Sequence, residues 1–207
     1  MAVKPLRARQ AEATRSLLID VARRMFTEQG YAATSIDDII RQAGVARGAL
    51  YHHFPGKEAL FQAVYETVEA AVVAAVVEAA AAQSSPWDAV HAGLSTFLDA
   101  CLEPSFRRIV VLDSVSVLQA KAMELGIDPV ELPMLRNLLT PLLGTTTFDG
   151  MAVDALAHVA LGGLYGASLY IARAPDLLVA RAEVDRVLDT LISGLLGHQP
   201  STEGRAE

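Results

Sequence analysis

Cysteine is almost absent: the 207-residue chain has one, Cys101. A single thiol excludes an intrachain disulfide and a cysteine-based metal cluster, and it fits a reducing compartment. Charged residues are sparse too, at 20% against 52% hydrophobic, so the chain can build a buried core without covalent staples. Also missing are the motifs that carry catalysis: no Gly-rich phosphate loop, no nucleophile elbow, and no His or Cys set at metal-ligand spacing. His52 and His53 are adjacent, but neighbouring helical side chains point about 100° apart and chelate poorly. Neither an enzyme nor a cofactor is expected. The opening MAVKPLRARQ lacks the apolar core of a signal peptide, so a cytoplasmic protein is expected. The Ala- and Val-rich stretch VEAAVVAAVVEAAAAQ holds Glu69 and Glu78 and falls short of the ~20 residues that cross a bilayer. No membrane partner is expected.

What is present is organised around Thr34 to Lys57, TSIDDIIRQAGVARGALYHHFPGK. Thr34 and Ser35 are helix-capping residues with Asp37 and Asp38 three positions on, and either pair can open a helix whose positive end the acids favour. Ile36, Ile39, Ile40 and Ala43 follow at helical spacing, and Gly44 is the residue best able to end the helix in a tight turn. Val45 then turns inward. A second helix over Ala46 to His53 places Ala46, Leu50 and Phe54 on its inner face. Gly48, Ala49, Tyr51 and His52 are left facing outward, with Arg47 and His53 on the shoulders. This face suits duplex DNA. Gly48 and Ala49 allow close approach to a base edge, Arg47 suits guanine or phosphate, and Tyr51 and His52 can hold phosphate or base edges. Lys57 opens the next helix, within reach of the DNA backbone.

At these residues the chain resembles the tetracycline-repressor (TetR) family of bacterial regulators. The resemblance runs through ARRMFTEQGYAATSIDDI (Ala22 to Ile39) and AGVARGALYHHFPGKEALF (Ala43 to Phe61). It implies DNA contacts from Thr34 or Ser35, Arg47, Ala49, Tyr51, His52 and Lys57. Two positions depart from the family's pattern: Ile40 stands where a small Ala is usual, and Ala49 lacks the hydroxyl of the usual Thr or Ser.

Net charge supports the placement. Residues 1–60 carry a surplus of +3 and residues 61–207 a deficit of −10, so basic charge gathers at the docking motif although the whole chain is at −7. Before the motif, Leu18, Val21, Ala22, Met25 and Phe26 mark a helix from about Arg9 to Gln29 that completes the motif's core, ended by Gly30 with Tyr31 folding back. Lys4, Arg7 and Arg9 precede it, read as a basic tail or a minor-groove arm. After the motif, Pro55 and Gly56 make a joint and a connecting helix runs from Lys57 to about Ala82. Ser85 and Pro86 start a helix over Trp87 to Leu102. Pro104 restarts the chain as two helices with a bend near Asp113 to Ser116. Pro129 and Pro133 interrupt residues 126–133 before a helix over Leu135 to Leu143. Two long helices close the chain, Met151 to Ala174 and Leu177 to Leu196.

The expected architecture is therefore all-α: a helix-turn-helix domain over residues 1–56, a helical effector-binding and dimerisation domain over 57–198, and a polar tail over 199–207. The helix over 151–174 is apolar nearly all round and so must be buried all round. The simplest solution is a two-fold four-helix dimer interface, which is also what the resemblance implies, using Leu161, Gly162, Leu169, Val184, Leu188, Leu191 and Leu195. Two recognition helices about 34 Å apart then read the half-sites of a palindromic operator. A small, largely apolar effector is expected among the middle helices, lined by some of Trp87, His91, Phe97, Cys101, Met123, Met134, Asn137, His158 and Tyr165. The expected function is a homodimeric, ligand-released repressor; the alternatives are a DNA-binding regulator or architectural protein without an effector and, last, a helical enzyme carrying a DNA-binding head.

Overall fold

In the computed structural model, which describes residues 6–118, 131–143 and 150–197, every regular element among the described residues is a helix. The first, α1 (Leu6–Ala33), buries the stripe Leu18, Val21, Ala22, Met25 and Phe26. It starts earlier than expected, so Arg7 and Arg9 belong to the helix rather than to a loose tail; Lys4 lies outside the described residues. Gly30 breaks the helix at φ 80°, ψ 166°, a positive φ that side chains resist, and residues 31–33 add a last turn beyond it. Tyr31 does fold back: its ring centroid lies 5.8 Å from Phe26 and 5.0 Å from Phe61.

The next helix, α2 (Ile36–Ala43), is capped by Ser35, whose hydroxyl oxygen accepts the Asp38 N–H at 3.1 Å. Thr34 does not compete for that role, because it is buried and its hydroxyl donates to the Gly30 carbonyl at 2.8 Å. Gly44 ends α2 in the left-handed conformation, φ 64°, ψ 28°, with its N–H on the Arg41 carbonyl at 3.3 Å. The recognition helix α3 (Arg47–His53) has no side-chain cap. Leu50 and Phe54 are buried as expected, whereas Ala46 stands outside as the residue before the first turn.

Downstream, α4 (Lys57–Ala81) buries Leu60, Phe61, Ala63, Val64 and Val68 along one face and leaves much of the other exposed. By length and composition alone α4 and the Val153–Arg173 part of α8 (Gly150–Arg173) are apolar enough to cross a membrane. This corrects the short apolar run read from sequence: the core residues at the start of α4 continue into the Ala- and Val-rich stretch as one helix. Ser85 caps α5 (Pro86–Ala100) by accepting the Asp88 N–H at 3.1 Å. Next, α6 (Phe106–Asp113) is wound as a π-helix and runs on as ordinary helix to residue 118, where a bend between two helices was expected. Residues 126–130 and the expected loop over 144–149 lie outside the described residues. α7 (Glu131–Leu143) starts four residues before the expected Leu135 and takes Pro133 into its first turn, where a missing N–H has no helical partner to lose.

The closing helices are α8 and α9 (Leu177–Gly197). A polar ladder ties α9 to α5: Arg181 donates to Asp99 at 3.1 Å, Ser95 at 2.8 Å and Asp185 at 3.0 Å, and His91 lies 3.4 Å from Asp189. One apolar core runs through the chain, from Leu18, Phe26, Ile39 and Leu50 through Phe61 and Val64 to Leu98, Ile109 and Ile171.

Candidate nucleic-acid interface

The outward face of α3 is as open as the sequence reading requires. A methyl group placed on Gly48 meets no atom within 4 Å, and Tyr51 is 44% exposed. Arg47, Gly48 and His52 are exposed and Ala49 is half-buried. The Arg47 guanidinium bonds Asp37 at 2.8 Å and lies 5.6 Å from the centre of the Tyr51 ring. Both members of that ion pair are more than 60% exposed, so it contributes roughly 0–1 kcal/mol, and a phosphate can take the guanidinium at little cost. Asp37 was read only as a helix-end acid; nothing in the local pattern marks its partner ten residues away, across the turn. Ser35 is exposed at the N-terminus of α2, where free N–H groups favour an anion. Its hydroxyl also donates to Asp38 at 2.6 Å and holds that carboxyl below the usual range, with Arg41 adding to the effect.

Two of the expected contact residues are turned inward. Thr34 is buried beneath the motif. The Lys57 ammonium donates to the main-chain carbonyls of Tyr31 at 2.7 Å and Thr34 at 2.9 Å and rests 4.1 Å from the Tyr31 ring centre. It closes the end of α1 onto the start of α4, which makes it a joint residue here. Arg15, which the sequence reading passed over, lies 5.4 Å from the Phe54 ring centre, and its helical spacing to Leu18 was the available signal.

Among the described residues, the expected effector-pocket positions are spread over the core, α5, α7 and α8. Phe97 and Cys101 belong to the core beside Phe106, the two rings meeting edge-on at 6.1 Å. Burial pushes the Cys101 thiol up to about 12, so it stays a neutral, apolar group. Trp87 and His91 pair edge-on at 4.4 Å on the α9 side of α5. His158 and Tyr165 are exposed on α8, Met134 is half-buried and Asn137 exposed on α7, and Met123 lies outside the described residues.

The expected dimer residues also divide. Leu169, Val184 and Leu188 pack against the chain's own core, and Leu161 is half-buried. Gly162 and Leu191 are exposed, and the Leu195 side chain lies outside the described residues. Among the described residues of α8 and α9, the large apolar side chains left uncovered are Val159, Tyr165, Tyr170, Leu178, Val179, Val187 and Leu191. Shallow grooves of about 450 and 410 Å³ run beside Gly166 and Tyr170 and beside Val187 and Leu191.

A capped helix, a left-handed glycine turn and a second helix presenting an open polar face define a helix-turn-helix DNA-binding protein. Comparison with known proteins gives the family. Residues 18–64 match "Bacterial regulatory proteins, tetR family" and residues 87–195 match "Tetracyclin repressor-like, C-terminal domain". A TetR-family transcriptional regulator from Pectobacterium atrosepticum superposes with a TM-score of 0.78 at 32% identity, over 90% of this chain and 96% of that one. The chain belongs to the TetR family and is a DNA-binding transcriptional regulator, not an enzyme. Among curated relatives, the regulator AcrR of Shigella flexneri is 45% identical over 60 residues, 29% of this chain and 28% of AcrR. The regulator SrpR of Pseudomonas putida is 49% identical over 57 residues, 28% of this chain and 27% of SrpR. This chain thus spans little more than a quarter of those relatives' length. Fold similarity reaches further: a fatty acid degradation regulator from Bacillus halodurans superposes with a TM-score of 0.65 at 17% identity, over 84% of this chain and 93% of that one.

Proposed function

We propose that the chain is a homodimeric cytoplasmic repressor that binds a palindromic operator and is released by a small, largely apolar molecule. The observation that carries the DNA half is the open face of α3, where Gly48 leaves room for a base edge and Arg47 is held by an ion pair weak enough to exchange for phosphate. Ser35, Arg47, Gly48, Ala49, Tyr51 and His52 make the contacts, and Lys57 acts by fixing the joint. For the dimer, the uncovered residues of α8 and α9 fit a second copy: Val159, Gly163, Gly166 and Tyr170 recur every three or four residues with Gly162 beside them, and added methyls on the three glycines meet nothing. Two copies meeting there align two recognition helices on one duplex. The effector acts in the helical region from residue 57, where the Phe97 and Phe106 rings and the neutral Cys101 thiol offer apolar surroundings.

The test is selection of bound duplexes from a random pool by the purified chain, followed by titration of the enriched sequence at several salt concentrations. An enriched palindrome whose affinity falls steeply with salt is the expected result. A folded dimer that enriches no sequence would refute the operator reading.

A further inference from the structure

Tyr31 is held from both sides of its own backbone. Lys57, at the start of α4, donates to its carbonyl at 2.7 Å. From the other side the Asp113 carboxylate, 82 residues away, accepts its N–H at 2.8 Å. That N–H follows directly on the break at Gly30, which takes it out of the regular helical ladder. The same Asp113 oxygen accepts from Arg108 Nε at 3.2 Å. The Arg108 guanidinium lies in the space Gly30 leaves by having no side chain; a Cβ there would stand 1.8 Å from Nη2. Gly30, Tyr31, Arg108 and Asp113 thus form one clamp between α1 and α6.

The winding of α6 explains why both side chains reach α1. In an α-helix, residues five apart are rotated by roughly 140° and face different neighbours. Where the backbone bonds five residues back, as the Ser114 N–H does to the Ile109 carbonyl, residues five apart return to nearly the same face. Arg108 and Asp113 are five apart, so the clamp exists because the turn is π-wound. Its first residue, Phe106, touches Phe97 in the apolar region proposed to receive the effector.

We propose that the π-wound turn of α6 is a register latch. Arg108 and Asp113 are positioning residues that hold the DNA-binding head at its working angle while the turn stays π-wound. Rewinding to α carries Asp113 off Tyr31 and frees the head. An apolar molecule that displaces Phe106 acts on the first residue of this turn. The latch rests on the effector-released reading for its purpose, but its geometry stands without it.

The experiment uses the full chain, with the operator enriched from the random pool as the DNA probe and amide hydrogen exchange read at Tyr31 and Ser114. Rewinding takes the Tyr31 N–H off Asp113 but only moves the Ser114 N–H from the Ile109 carbonyl to that of Val110, so in the wild type Tyr31 exchanges well before Ser114. Equal exchange of the two amides, the mark of local unfolding of α6 in place of a change of register, overturns the register mechanism. Asp113→Ala speeds Tyr31 exchange and weakens operator binding, each by about tenfold, the size expected for losing one hydrogen bond to a charged acceptor. Asp113→Asn, whose amide oxygen still accepts the Tyr31 N–H, stays within about threefold of wild type in both readouts. Faster Tyr31 exchange with unchanged operator affinity in Asp113→Ala overturns the positioning role. A wild-type chain that enriches no duplex sinks the repressor reading instead, and the exchange of Tyr31 relative to Ser114 still decides the latch.

Discussion

A methyl group added at Gly48 touches nothing in the protein, yet it projects from the face proposed to meet DNA. Gly48→Ala therefore separates folding from docking. Gly48 stands in the first turn of α3, where replacing glycine by alanine stabilises the helix by at most about 0.5–1 kcal/mol, so the melting temperature rises or holds. Operator affinity falls at the same time, by about tenfold if one close contact worth ~1.4 kcal/mol is lost. Unchanged affinity in a fluorescence titration would remove Gly48 from the interface. Tyr51→Ala behaves similarly, weakening DNA binding with little change in melting because the side chain is half exposed. Lys57→Ala does not: it deprives two main-chain carbonyls of a charged donor, and costs about 1.5–3 kcal/mol of stability alongside any loss of DNA affinity. Equal melting temperatures for Lys57→Ala and wild type would show that the joint contributes nothing. Cys101 gives a test from its burial. With the thiol raised to about 12, the folded chain keeps it protonated at pH 8, and alkylation by iodoacetamide proceeds no faster than unfolding. Single-residue signals were legible where the chemistry is local: Ser35 three residues before Asp38, and Gly44 at a turn. The inward turn of Thr34 and Lys57 was not, because their partners lie on the last turn of α1 and its tail, made available only by the break at Gly30.

Individual helices were legible by period, and their ends by caps and prolines, so α4, α5, α8 and α9 lie within a few residues of expectation. Two features escaped. The π winding of α6 leaves no mark in an apolar pattern such as IVVLD, since a buried segment is apolar at either winding. The division of the α8 and α9 residues between the chain's own core and the uncovered face depends on which helix packs behind them. Sequence placed Leu169, Val184 and Leu188 in the dimer contact, and in the single chain they also pack, partly buried, against its core. The face of α8 proposed to meet a second copy is the one lined by small residues. Gly166→Leu accordingly leaves the chain folded, since an added Cβ meets nothing and leucine favours helix, while it obstructs close approach of a second α8. Sedimentation should show dimer dissociation strengthened by at least about tenfold, on the scale of overpacking costs of 1–3 kcal/mol. A dimer as tight as wild type would move the interface off this face.

At the scale of the molecule, the core crosses the boundary expected after residue 56. Phe26 and Leu50 of the DNA-binding head share one apolar cluster with Phe61 and Val64 of α4, Ile109 of α6 and Ile171 of α8. Phe26 and Phe61 meet edge-on at 5.3 Å, so the two regions share aromatic packing as well as a joint. Sequence periodicity identifies inward faces but does not say which of them meet, so this shared packing was not legible. A head that kept its own core would open independently of the rest. A shared core makes the head's stability depend on residues more than fifty positions downstream. Ile109 is fully buried in α6 and lies outside the recognition motif. Ile109→Ala should lower stability by roughly 2–5 kcal/mol, the range for deleting a large buried aliphatic side chain. The loss should appear equally in the slowest-exchanging amides of α1 and of α8, with one unfolding transition in denaturant. If α1 kept its wild-type protection while α8 lost it, the head would be an autonomous unit, and any signal reaching the DNA would have to travel through the joint at Lys57 alone.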